Sequence, residues 1–425
     1  MKTGIYIAGL GQSFEQESLT DYATRLKNEY NYRKTGVQCE VKVEKISFAE
    51  KKQSNVARIV EQSAAGERVL YELYEFRYCE TLTRKFNARN ILVKNLLLFM
   101  VVVRKFPALL KRMFVPQGYN RPFQTFYLFA IFLVLAAAII LLVPACIAML
   151  TDFTKDAAVI EFLKGFKWIA WFKNRYDLHA ADLQYLTDTF VSVGAALLIL
   201  APKAKPMITT LAAELVCVQY YLENGNQSQE ILGDLDLLVD YISEQSPDTK
   251  IHFHAYSFGT LIAIDYLFPF GNVPAVNVVE RGEALITIGS PFEFVKAYYP
   301  NYFRHRSKVL EENIRWINIY SIADALATNF RRDAKAGEAQ FGIRSDGLKP
   351  INLNYEITQI GKFSLAKFIS LYSIRMHAMY WDATTSGQSC LRLLFNALEK
   401  EGLLTADMPV QGSPATEKLS PEVSL

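Results

Sequence analysis

Short apolar or alternating runs in this chain repeatedly give way to stretches whose apolar residues recur three and four apart. Ile5–Gly9 predicts a strand, and Leu19–Tyr30 has the spacing of a helix. Glu40–Phe48 alternates like a half-buried strand, and Val69–Phe76 predicts another. The second half resumes with a helix rich in Leu and Val over Ile231–Glu244, a strand from Ile251, and a helix-period segment over Thr260–Leu267. Further strands are predicted at Glu283–Gly289, Ile314–Tyr320 and Leu353–Gln359. A rhythm of strand and helix implies an α/β chain with a mainly parallel sheet and helices on both faces. From Thr405 to Leu425 the chain turns polar and rich in Pro and Ser, which predicts a disordered tail.

One long interruption separates the two halves. Phe126–Leu150 contains no charged residue, and at about 1.5 Å per residue it exceeds the roughly 30 Å hydrocarbon core of a bilayer. It predicts a transmembrane helix. If strands on both sides of this region share one sheet, the crossings must be even in number, so a second span is required. Leu183–Pro202 is the candidate, with Met207–Leu222, which carries Glu214, as the alternative. Arg84, Lys85, Arg89, Lys94, Arg104, Lys105, Lys111, Arg112 and Arg121 crowd the flank before the first span, and Lys203 and Lys205 follow the second. By the positive-inside rule both flanks are cytoplasmic. Asn95–Val103, between Lys94 and Arg104, reads either as an interfacial helix on anionic lipid or as a buried amphipathic helix. The expected organisation is residues 1–90 and 223–404 as two parts of one α/β domain, 91–222 as a membrane-associated insertion with spans near 126–150 and 183–202, and 405–425 as the tail.

Composition agrees with a membrane segment: 51% of the residues are hydrophobic and mean hydropathy is +0.09. A net charge of only +3 gives no reason to expect a nucleic-acid partner. Cys39, Cys79, Cys146, Cys217 and Cys390 are scattered, without a C-x-x-C, which predicts neither a disulfide framework nor a zinc site.

The candidate chemistry lies where a strand meets a helix. Ile251-His252-Phe253-His254-Ala255-Tyr256-Ser257-Phe258-Gly259 ends an apolar run at small-x-Ser-x-Gly and passes directly into the helical segment. This is the pattern of a nucleophile elbow, whose sharp turn requires small residues two before and two after the serine; Ala255 and Gly259 meet that condition. A serine hydroxyl needs a base to take its proton and a carboxylate to orient the base. In folds built on such an elbow the order is Ser, then Asp or Glu, then His. Asp324 follows the strand ending at Tyr320 and is the expected acid, with Glu293 as runner-up and a helix N-cap as its alternative role. Of five histidines, His252 and His254 lie within the elbow strand, His179 lies between the spans, and His305 precedes Asp324. His377 has the right order and is the expected base. Oxyanion donors are expected from the backbone N–H groups of Phe258 and of Leu10, in the Gly9-Leu10-Gly11 loop. That loop lacks the third glycine of a dinucleotide site. No metal or organic cofactor is expected.

Together these segments resemble a family of α/β-hydrolases, often membrane-anchored, with a His-Gly-Ile-Gly-Glu-Gln-like loop after the first strand and a Tyr-Glu-Phe-x-Trp-like strand later. The corresponding residues are Ile7-Ala8-Gly9-Leu10-Gly11-Gln12 and Leu73-Tyr74-Glu75-Phe76-Arg77-Tyr78, with Ala8 where the family often has His and Tyr78 where it often has Trp. Gly289-Ser290-Pro291 and His377-x-x-Tyr380-Trp381 also look like the superfamily's pattern. The resemblance spans the first fifth and the second half of the chain, leaving the insertion unmatched. It implies an α/β-hydrolase fold with serine-hydrolase chemistry and leaves the substrate open. The expectation is thus a lipase-like esterase, anchored in the bilayer with its catalytic domain cytoplasmic, acting on a hydrophobic ester. The alternative is a catalytically weak scaffold, sensor or effector on the same fold.

Overall fold

The computed structural model describes residues 2–10, 18–33, 38–63, 66–89, 216–223, 225–333, 335–343, 347–357, 376–382 and 384–404, with positions 93, 97, 104 and 107 between them. Both halves of the chain contribute to one eight-stranded sheet of order β2-β3-β4-β1-β5-β6-β7-β8. Its strands are β1 (Lys2–Ile7), β2 (Gln38–Ala49), β3 (Lys52–Ser63), β4 (Gly66–Phe76), β5 (Lys250–Tyr256), β6 (Gly282–Ile288), β7 (Arg315–Tyr320) and β8 (Ile351–Asn354). All neighbours from β4 to β8 run parallel, whereas β2, β3 and β4 form an antiparallel meander at one edge. The sheet is therefore mixed and mostly parallel.

The sequence pattern does not announce β3. Its buried residues Val56, Ala57, Ile59 and Val60 come in adjacent pairs instead of alternating. Val56 packs on one face of the sheet and Ala57 and Ile59 on the other, so both faces of the strand are covered there, and the pairing with β4 slips between Ile59 and Val60. The last strand is shorter than expected, ending at Asn354.

Two cores lie on the two faces of the sheet. Ile5, Ile7, Ile251, Phe253 and Ala255 face one, together with helix α3 (Asn226–Gln245) and helix α4 (Gly259–Leu267), each named here after α1 (Leu19–Arg33) and α2 (Cys79–Asn87) in chain order. Tyr6, Ala8, Tyr71 and Tyr256 face the other, against α1 and the C-terminal helix Leu391–Lys400. Helices Val276–Arg281 and Phe292–Tyr298 complete the set as α5 and α6, which makes the C-terminal one α7. The helical segment 216–223 sends Val216, Cys217 and Tyr221 into the first core, so the end of the alternative span at Met207–Leu222 packs within this domain. Among the described residues no helix is long and apolar enough to cross a membrane. The spans expected at 126–150 and 183–202, His179 and the tail lie outside the described residues.

Strand β5 shows why its histidines are structural. The period-2 pleat puts His252 and His254 on the face opposite Phe253, and both are almost fully buried. Their partners form one chain. Tyr22 Oη lies 2.9 Å from His254 Nδ1, Tyr71 Oη lies 2.8 Å from His254 Nε2 and 3.1 Å from His252 Nδ1, and His252 Nε2 lies 2.8 Å from Glu283 Oε2. Burial lowers the pKa of both imidazoles and raises that of Tyr71. Burial alone would also raise the Glu283 carboxyl, but bonds from His252 and Lys2 hold it at about 2. A carboxylate only accepts, so His252 Nε2–H donates to Glu283. It follows that Tyr71 donates to His252, His254 Nε2–H donates to Tyr71, and Tyr22 donates to His254. Tyr71→Phe should break this series in the middle, stranding a buried acceptor and a buried donor at a cost of about 2–5 kcal/mol. Chemical denaturation of the purified protein measures it, and a loss below ~0.5 kcal/mol would contradict the series itself.

Candidate active site

Ser257 sits where β5 hands over to α4, with φ of 52° in the left-handed region. A non-glycine residue pays for that conformation, and neighbouring bonds hold it there. Ser257 N–H donates to the Ile288 carbonyl at 2.9 Å, while the Ser257 carbonyl accepts from Thr260 N–H at 3.0 Å and from Thr260 Oγ1 at 2.7 Å. The tight turn drives the start of α4 against β1. A Cβ on Gly259 would lie 2.4 Å from the Ile7 carbonyl oxygen and 2.5 Å from that of Ala8, so only glycine fits. The exit of β1 is equally close, since a Cβ on Gly9 would stand 2.9 Å from Ser257 Cβ.

Two distant residues meet this serine. His377, on the 3-10 helix Met376–Ala378, places Nε2 2.7 Å from Ser257 Oγ. Its Nδ1 lies 2.8 Å from Asp324 Oδ2, on the turn following β7. The carboxylate accepts from Nδ1–H, which leaves Nε2 of a neutral imidazole to accept the serine proton. Asp324 is fully buried and the His377 side chain is 14% exposed, so the acid is sheltered while the base reaches the surface. Tyr256 stacks on the imidazole, ring centroids 5.4 Å apart, and donates its hydroxyl to the His377 carbonyl at 2.5 Å.

Other candidates fall into place around these three. His305 is exposed and packs its ring against Phe270. Glu293 opens α6, and the imidazole turns Nδ1 to Asp324 and not to it. No helix starts at Asp324; its Oδ1 instead accepts from Leu326 N–H at 2.9 Å, closing its own turn. Phe258 is the cap residue of α4, and Leu10 is half-buried against the same core as Phe258. Phe258 follows Ser257 on the turn itself, and Leu10 follows Gly9, the residue that packs against Ser257 Cβ. Among the described residues no group of three or more His, Cys, Asp and Glu side chains could hold a metal ion.

Tyr380 belongs to the His377-x-x-Tyr380-Trp381 pattern, but nothing in the sequence assigns a bracing role to it or to Glu356. Tyr380 Oη donates to Asp324 Oδ2 at 2.8 Å and accepts from Ser321 N–H at 3.2 Å. Glu356 accepts from Ile322 N–H at 2.5 Å and from Ser321 Oγ at 2.9 Å, clamping the turn that carries Asp324. Burial and, to a lesser extent, the nearby Asp324 charge raise the Glu356 pKa, although the bonds it accepts oppose the rise. The spacing of His377 and Tyr380, three residues apart at a helical turn, was the available signal for Tyr380.

The fold and site thus define an α/β chain with a hydrogen-bonded Ser–His–Asp series at the ends of its parallel strands. Comparison with protein-family models, with curated proteins and with solved structures finds no match to this chain.

Proposed function

We infer that this chain is a membrane-anchored serine hydrolase of the α/β-hydrolase fold, cleaving an ester of a lipid or another hydrophobic acyl substrate. The observation that carries this reading is the continuous series Ser257 Oγ, His377, Asp324, with both links under 3 Å and the three residues in the chain order such enzymes use. Ser257 Oγ attacks the ester carbonyl as His377 Nε2 takes its proton, giving a tetrahedral oxyanion beside the backbone N–H groups of Phe258 and Leu10. Collapse expels the alcohol, which receives the proton from His377, and leaves an acyl-serine. Water, deprotonated by His377, then attacks the acyl-serine; the acid is released and the serine regains its proton. Asp324 orients the imidazole throughout and stabilises its cationic form. No cofactor enters the scheme.

Strand order bears on how many times such an anchor would cross. Strand β1 lies between β4 and β5, so the chain that leaves after Phe76 returns to the same sheet at Lys250. An excursion that begins and ends at one sheet crosses a bilayer an even number of times. A hairpin of spans near 126–150 and 183–202 satisfies that, with both hydrolase parts on the basic, cytoplasmic side. The preference for a hydrophobic acyl group follows from that anchor.

A fluorophosphonate probe tests the chemistry, because it reacts only with a serine whose proton can be taken. Wild-type protein should be labelled at Ser257, and Ser257→Ala should be spared. Equal labelling of both proteins, or modification at Ser290, would overturn the assignment. No labelling of either would favour a binding scaffold on the same fold.

A further inference from the structure

The acid of the proposed series is held by more than its histidine. Asp324 has no exposed surface, and a buried carboxyl needs hydrogen bonds to replace its lost hydration. Three donors do so. Leu326 N–H serves Oδ1 at 2.9 Å, while His377 Nδ1–H and Tyr380 O–H both serve Oδ2 at 2.8 Å. The base and a phenol therefore compete for one oxygen.

The phenol has no other option. Tyr380 is 1% exposed, and its oxygen accepts from Ser321 N–H at 3.2 Å, so its single proton is directed to Asp324. Burial, with the Asp324 charge added, pushes its pKa well above the usual tyrosine value, which keeps it a donor across the working pH range. Its ring is fixed by Tyr256, 6.2 Å away edge to face, and by Tyr355, stacked at 6.4 Å. Gly289 makes room for both side chains: a Cβ there would come within 3.0 Å of Tyr380 Cε2 and 3.1 Å of His377 Cε1. One turn of chain, tied by Met379 N–H to the Met376 carbonyl at 3.1 Å, thus delivers the base and the second donor together.

We propose that Tyr380 is a positioning residue that sets how strongly Asp324 supports the charge on His377, by drawing on the same carboxylate oxygen. The inference rests on the serine-hydrolase reading. A charge-assisted bond spreads the negative charge of the acceptor, so the carboxylate stabilises an adjacent imidazolium less than it would alone. With Tyr380 in place, part of the charge on Asp324 Oδ2 is drawn to the phenol and less of it is directed at His377. Without its hydroxyl, Asp324 would hold the protonated imidazole more firmly and also lose one of its fixed orientations. The other groups facing this pair are the Ser257 hydroxyl, the Tyr256 ring, and Glu356, whose carboxylate binds the Asp324 turn.

Tyr380→Phe keeps the ring and removes only the hydroxyl. The rate of fluorophosphonate labelling at Ser257 is measured against pH for wild type, Tyr380→Phe and Tyr256→Phe. Tyr256→Phe loses the hydroxyl that bonds the His377 backbone, and so controls for a loosened histidine. In Tyr380→Phe the midpoint of the rate profile should move up by about 0.5–1 pH unit and the plateau rate should fall about tenfold. Tyr256→Phe should keep the wild-type midpoint whatever its rate. A Tyr380→Phe profile that superimposes on wild type, or an equal shift in Tyr256→Phe, overturns the proposal while leaving the hydrolase reading intact. Wild-type protein that is never labelled at Ser257 overturns the hydrolase reading itself. Should Tyr380→Phe fold poorly by thermal melt, 3-fluorotyrosine at position 380, which keeps ring and hydroxyl but is a stronger donor, supplies the comparison: a midpoint below that of wild type supports the role, and an unchanged midpoint refutes it.

Discussion

Replacing His377 by alanine is expected to lower kcat by at least ~10³-fold while the fold persists. With Nε2 gone from its place 2.7 Å from Ser257 Oγ, the hydroxyl has no group to take its proton. The backbone anchor survives, because Tyr256 donates to the carbonyl of residue 377 and not to its side chain. His305→Ala should remain close to wild type, since that residue is exposed on a loop and its ring meets Phe270. Ester hydrolysis and melting temperature, measured together on both variants, separate lost chemistry from lost structure. A crippled His305→Ala beside a mild His377→Ala would reverse the assignment of the base.

The second large effect is on structure. Gly259→Ala should destabilise the domain by about 2–4 kcal/mol and abolish labelling of Ser257, because the new methyl group meets backbone and not a side chain that could turn aside. The Ile7 and Ala8 carbonyl oxygens stand 2.4 and 2.5 Å from its position, and β1 cannot retreat without leaving β4 or β5. Gly233→Ala, within α3, provides the contrast. Nothing lies within 4 Å of its Cβ, and alanine in a helix interior is expected to be neutral or to stabilise by up to about 1 kcal/mol. Equal melting temperatures for Gly259→Ala and wild type would show that the elbow is looser than this packing implies.

Which features could be read from sequence follows from how local their cause is. The elbow was legible because strand, small residues, serine and helix are contiguous, although the carbonyls that restrict position 259 to glycine belong to β1, at the other end of the chain. The geometry brings Ser257, His377 and Asp324 together as chain order alone had suggested, since each of these candidates sits after a strand that the pattern reveals. Strand β3 was hidden because Val56 and Ala57 are buried on opposite faces and the pairing slips at Ile59 and Val60, so the alternation of a half-buried strand is lost. Helix α7 has the spacing of an amphipathic helix at Leu391, Leu394, Phe395 and Leu398, but nothing local tells that it covers the face carrying Tyr71 and Tyr256. Tyr380 and Asp324 are 56 positions apart, and a tyrosine that braces an acid looks the same in sequence as one that fills a core.

The place of β1 in the sheet also bears on how the protein is made. Thr3 and Thr249, whose hydroxyls meet at 2.9 Å, are 246 positions apart. At roughly 5–20 residues per second on the ribosome, β1 can pair with β4 on the order of ten seconds or more before β5 exists. Throughout that interval the nascent chain presents the open side of β1, whose Ile5, Tyr6 and Ile7 carry no charge to discourage pairing with another molecule. The strand that later supports the serine elbow thus has an open, uncharged edge during synthesis. Slowing translation between the two halves would lengthen that exposure, and shielding of the early sheet by a chaperone would be of most use there.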